Sequence, residues 1–301
     1  MDADARREER RSRRVVRRMD RAAARVARRE RRHAPGRPAR ALVALVGLLA
    51  LVGTAGVVMA VAGVSAADLL HPRAYVEIDG RSVRVPEPAP ADGRLAPAVP
   101  VTTDGAYAFL HTSADGAPVG YDPCRPVRYV VRPDGMPAEG QQLVEEAAAI
   151  VGAAAGLVLE YAGTTDESPA VERVLIQPER YGQVWAPVLV AWADEDAMPE
   201  LAGGVVGVGG SAAVPGADGQ GQWLAAGRVV LDAPDLGALL GSPGGHERAR
   251  ALVAHELAHV LGLDHVNDPG ELMYPVNATR TDLGPGDRAG LALLGQVGCE
   301  G

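Results

Sequence analysis

His255 and His259 stand four residues apart, with Glu256 between them, in the run HELAHVLGLDH over residues 255–265. On a helix this spacing puts both imidazoles on one face, where two ligands of one tetrahedral ion must stand. Glu256 follows the first histidine and reaches the same side, beside such an ion rather than on it. Gly262 comes three residues after the second histidine. Glycine readily takes the left-handed conformation that ends a helix, and the turn it allows brings His265 back as a third ligand. Three protein ligands leave a fourth position for water, the pattern of a catalytic zinc rather than a closed structural one. The competing reading is an incidental histidine cluster. By composition the full pattern is expected in roughly a few of 100,000 such chains, which sets that reading aside. Met273, in ELMYP (271–275), is placed to form an apolar floor beneath the ligands, although a lone methionine more often serves core packing.

The motif needs a helix and a support for it. HERARALVAHELAHVLG (246–262) is predicted to be one long helix. AEGQQLVEEAAAIVGAAAG (138–156) is predicted to be another, with Leu143, Ala147 and Ile150 on one face and Gly156 as its stop. Strands are expected at 125–131, 157–163, 171–177, 187–193 and 227–233. The segment 187–193 is almost wholly apolar and so central. The small, glycine-rich GGVVGVGGSA (203–212) reads as an edge strand near a ligand. Strands alternating with two main helices predict an α+β (α/β-like) domain with a mixed sheet, spanning residues 101–301. AYVEIDGRSVRV (74–85) reads as a hairpin about Asp79-Gly80. PEPAPADGRLAPAVP (86–100) reads as a stiff spacer, so 65–100 forms a connecting region.

Charge is distributed unevenly. The net charge is -8, yet residues 1–40 carry sixteen arginines against six acidic groups. Residues 41–64 follow without a charged side chain, long enough for a transmembrane helix. The preceding arginines predict a cytoplasmic N-terminus and an extracellular remainder on a single-pass cell-membrane protein. A signal peptide cleaved near Ala66, giving a secreted protein, is the alternative. The arm has no aromatics to stack bases, so it reads as a topology determinant and not as a nucleic-acid binder. Cys124 and Cys299 fall on the predicted outside, where disulfides persist. They are either bonded to each other or two buried free thiols.

His255, Glu256, His259, Gly262 and His265, followed by Met273, match the metzincin pattern HExxHxxGxxH with its Met-turn. LMYP and the later LGPGDRAGLALLG (283–295) resemble the matrixin branch, as does the order of elements over about residues 120–297. The resemblance implies a twisted mixed sheet with two main helices and a C-terminal helix. It implies a catalytic Zn2+ at the floor of a cleft and endopeptidase activity on peptides or proteins outside the cell. By position it makes His255, His259 and His265 the zinc ligands, Glu256 the general base and Met273 the Met-turn residue. It puts Val205, Val206, Gly207 and Val208 on an edge strand that pairs with substrate backbone. It also puts Pro275 to Arg280, beside Tyr274, along the wall of a substrate pocket.

The chain departs from animal matrixins in two respects. No cysteine precedes Cys124, so a cysteine switch is absent, and no histidine lies between His111 and His246 to bind a structural zinc. Asp194, Glu195, Asp196 and Glu200 are either calcium ligands or a solvated acidic loop without EF-hand spacing. Asp264 either orients a neighbouring imidazole or caps the turn. His33, His71, His111 and His246 lack ligand spacing and are expected to face solvent. A catalytically silent peptide-binding module at the cell surface is the alternative function, as is a cell-wall-associated protein with incidental zinc. The intact Glu256 and the complete ligand set speak against both.

Overall fold

The computed structural model describes residues 37–61 and 73–300, apart from 79, 103 and 277–279, together with positions 21, 25 and 28. Most of the arginine arm, the end of the expected span (62–64) and the alternative cleavage site near Ala66 lie outside the described residues. The chain forms two units, Met1–Leu70 and His71–Gly301.

The first unit contains helix α1, Arg37–Val61. Alanine and leucine favour the helix, and Thr54 satisfies its hydroxyl by donating to the Ala50 carbonyl at 2.7 Å. Leu42, Leu45, Val46, Leu49 and Val52 are all exposed. Among the described residues no helix is long and apolar enough to cross a membrane. The span expected over 41–64 is therefore not shown, and the finding is a helix over its first part.

The second unit opens with the hairpin β1 (Tyr75–Ile78) and β2 (Arg81–Arg84), paired antiparallel. The stretch read as a stiff spacer is fastened to this unit by hydrogen bonds. Arg94 donates to the carbonyls of Gly295 (2.7 Å) and Gly156 (3.3 Å), the Leu95 amide to Pro123, and Gln296 to Val99. A guanidinium with five donors finds carbonyls at helix ends, and that outweighs the intrinsic extension of the proline-rich segment.

The main sheet contains β4 (Val127–Val131), β5 (Leu159–Thr164), β6 (Val188–Ala193), β7 (Gly207–Pro215) and β8 (Gln222–Asp232). The order is β5-β4-β6-β8-β7. The first four are mutually parallel and β7 runs antiparallel to β8 at the edge. The apolar β6 is central and buried, and the glycine-rich β7 is the edge. Between β3 (Ala108–Phe109) and β9 (Leu263–Asp264) runs a second, short antiparallel pairing.

Helices α2 (Gly140–Ala155) and α5 (Gly245–Leu261) pack together, with α6 (Pro285–Leu294) against α2. Short helices α3 (Pro178–Tyr181) and α4 (Ala233–Leu240) complete the unit. Leu143, Ala147 and Val151 of α2 meet Val253, Leu257 and Leu261 of α5 in one core with Val131, Val190 and Leu231 from the sheet. Gly156 ends α2 at φ 65°, the left-handed stop expected there. Cys124 and Cys299 are joined in a disulfide, with Cα atoms 5.6 Å apart.

The strand expected over 171–177 does not form. Only Ile176 makes an isolated bridge, to Trp185. Arg173 instead turns inward, pairing with Glu167 at 2.7 Å and donating to the Gly227 carbonyl at 2.8 Å. An ion pair buried on both sides holds this segment in place of a ladder.

Candidate metal centre

Helix α5 carries His255 and His259 one turn apart, and Gly262 closes it at φ 116°. An ideal Cβ there would lie 2.8 Å from a Leu294 methyl, so both the turn and the packing require glycine. After it, β9 is gripped by β3, with Leu263 opposite Phe109 and Asp264 opposite Ala108. The Leu110 amide donates to the Gly262 carbonyl at 2.9 Å. This pairing returns His265 over the helix. The β3 contribution was not read from the sequence, because a two-residue strand has no periodicity to detect.

The three imidazoles converge. His265 Nε2 lies 3.1 Å from His255 Nε2 and 3.1 Å from His259 Nε2. His255 Nδ1 contacts the Leu272 carbonyl at 2.7 Å, and His259 Nδ1 the Leu263 carbonyl at 2.8 Å. A carbonyl only accepts, so both Nδ1 atoms carry hydrogen and both Nε2 atoms present lone pairs. Burial, then the charge of His259, pushes His255 down to about 3. Burial also lowers His259 and His265. The cluster is thus neutral, the ligating form.

Lone pairs aimed at one point repel unless a cation lies between them. Two zinc–nitrogen bonds at a tetrahedral angle hold the nitrogens about 3.3 Å apart, close to the spacing seen. The donor set therefore fits Zn2+.

Glu256 is 6% exposed, and burial pushes its carboxyl up to about 8. Met273 is fully buried in the main core, and its carbonyl accepts from the Val266 amide at 3.1 Å. Asp264 accepts from the His265 amide at 2.7 Å, so it caps the turn.

A second layer was missed by the sequence reading. Asp287 of α6 is buried and accepts from the amides of Leu272 (2.6 Å), Met273 (3.2 Å) and Gly284 (2.6 Å). Its own amide donates to Glu271 at 3.0 Å. One carboxylate thereby pins the turn whose Leu272 carbonyl holds His255. The available signal was an acidic residue in the first turn of the helix.

The expected substrate-binding residues are divided. Gly207 and Val208 lie on β7, whereas Val205 and Val206 precede it. The Val206 carbonyl extends the pairing by accepting from the Asp232 amide at 2.9 Å. Tyr274 is half-buried, its amide donating to Glu271 at 3.4 Å. Of the pocket wall, Pro275 and Val276 are exposed and residues 277–279 lie outside the described residues.

Asp194 caps the Ala197 amide and Glu200 pairs with Arg228. Among the described residues the ligand clusters do not include Asp194, Glu195, Asp196 or Glu200. His246, expected to face solvent, bridges Glu139 and Glu146 at 2.8 and 3.0 Å, and those carboxylates raise its basicity.

A family model spans this region, from the edge strand to α6. Residues 209–294 match Matrixin. The matrixin-like segment holds all three histidines, Glu256, Met273 and Asp287. No curated protein matches the chain. The mixed sheet, the paired helices and this match agree with a metalloprotease-type domain.

Proposed function

We propose that the protein is a zinc-dependent endopeptidase that hydrolyses peptide bonds of extracellular proteins. The observation that carries this reading is the convergence of three histidine ring nitrogens, on a helix that also carries the buried Glu256. His255, His259 and His265 hold the ion, and the Leu272 and Leu263 carbonyls fix two of the rings. When bound, zinc acidifies a water and polarises a carbonyl. Glu256 takes the proton released by the attacking water and passes it to the leaving nitrogen. Its dry surroundings favour proton uptake. An extended substrate pairs with the free edge of β7 and lies along the cleft.

We also propose that the arginine arm and the charge-free segment 41–64 associate the protein with the cell membrane. Support comes from apolar side chains exposed around α1, an arrangement suited to lipid. The Cys124–Cys299 bond suits an oxidising exterior. Cleavage near Ala66 would give a secreted form with the same site.

The test is cleavage of an unbiased peptide mixture by the purified full chain. Activity should vanish with a chelator and fall about 100- to 10,000-fold in Glu256→Ala, which keeps its zinc. Full hydrolysis by Glu256→Ala overturns the base assignment. Zinc binding without cleavage favours the silent binding module.

A further inference from the structure

Strand β7 lies directly on the catalytic helix, and two glycines decide how closely. Along β7, residues 207 and 209 face α5 while 208 and 210 face away. Val208 accordingly packs with Met198, Leu201 and Val230. An ideal Cβ on Gly209 would sit 2.2 Å from the Glu256 carbonyl oxygen, so this glycine sets the approach of strand to helix. A Cβ on Gly207 would sit 2.8 Å from Glu256 Cγ and 3.1 Å from both its Cδ and its Oε1. On Gly210 it would meet nothing within 4 Å. None of the three has positive φ. Space, not backbone freedom, is therefore what residue 207 supplies.

We infer that Gly207 is the positioning residue for Glu256: its bare α-carbon forms the roof against which the carboxylate lies. This rests on the endopeptidase reading. The strand cannot give way instead. Its ladder with β8 is continuous on both sides of one bulge. At that bulge Ser211 donates to the Val260 carbonyl at 2.8 Å and bonds the Tyr121 hydroxyl at 2.8 Å. A methyl group at 207 therefore displaces the flexible glutamate side chain and moves the group that handles the proton.

The test uses the full chain and compares Gly207→Ala with Gly237→Ala. Gly207→Ala should lower kcat about 10- to 100-fold, the scale of an ångström-sized misplacement, with KM little changed and one zinc still bound. Gly237→Ala, in α4 and away from β7, where an added Cβ meets nothing within 4 Å, should keep the wild-type kcat. A second readout does not use activity. In the chelated protein Gly207→Ala should lower Tm by about 2–4 °C, yet should not lower it in the Glu256→Ala background, where the crowded carboxylate is gone. Wild-type kcat in Gly207→Ala, or equal Tm losses in both backgrounds, overturns the inference. Failure of the wild type to cleave any peptide sinks the endopeptidase reading instead, and the Tm cycle still decides the contact.

Discussion

Glu167 and Glu256 are buried almost equally, at 5% and 6% exposure, and their surroundings push them in opposite directions. Burial raises the Glu167 carboxyl, but Arg173 at 2.7 Å, with Gln177 and Tyr181, reverses this and holds it below the ordinary range. Burial alone acts on Glu256 and carries it to about 8. The first carboxylate is fully occupied in fixing the 165–181 segment to Gly227 of β8. The second has no such partner and so holds its proton more tightly than an ordinary carboxyl. A buried acid with its charge answered maintains a fold; one without an answering charge is available for chemistry.

The largest expected effect breaks the first half of this comparison. Glu167→Ala leaves Arg173 charged and buried, and should cost about 3–5 kcal/mol in denaturant unfolding. Replacing both partners with apolar residues should cost much less. Equal losses would mean that the pair is not coupled.

Asp287 lies between the two extremes, buried but bonded only to amides. In Asp287→Asn one terminal atom becomes a donor facing donors, loosening the Leu272 turn behind His255. Zinc affinity by chelator competition should fall about 10- to 100-fold. Unchanged affinity would cut the proposed link from α6 to the ligand.

The smallest effect sharpens the contrast directly. The folded state holds the Glu256 proton more tightly than the unfolded chain. Its contribution is full below 4.5 and is lost as pH rises to about 8. For Glu167 the sign is reversed: its contribution is complete above 4.5 and lost as acid protonates the folded group. In chelated protein, wild-type Tm should therefore fall relative to Glu256→Gln as pH is raised through that window. A constant difference would deny Glu256 its raised pKa.

What was legible in the sequence was local. His255, Glu256, His259 and Gly262 repeat with the period of a helix, and Gly156 and Gly262 mark helix ends. These features depend on nearby residues, as does the glycine-rich composition that placed β7 at an edge. What escaped depends on residues distant in sequence. Arg173 reads as part of a strand until Gly227 is beside it. Asp287 reads as an ordinary first-turn acid until the amides of 272 and 273 meet it. The proline-rich stretch reads as a spacer until the carbonyls of Gly156 and Gly295 come within reach of Arg94. The glycines of β7 suggested an edge, but not that one of them roofs Glu256.

Asp287 follows the three histidines in the chain, so it leaves the ribosome after them. Chains fold as they are made, earlier parts first. Until α6 has emerged and docked, the turn that steadies His255 lacks its Asp287 brace, and Cys299, later still, has yet to meet Cys124. A partly made chain thus carries every residue of the motif without the brace that aligns it. The order of synthesis itself delays the alignment of the three histidines until the body around them is complete.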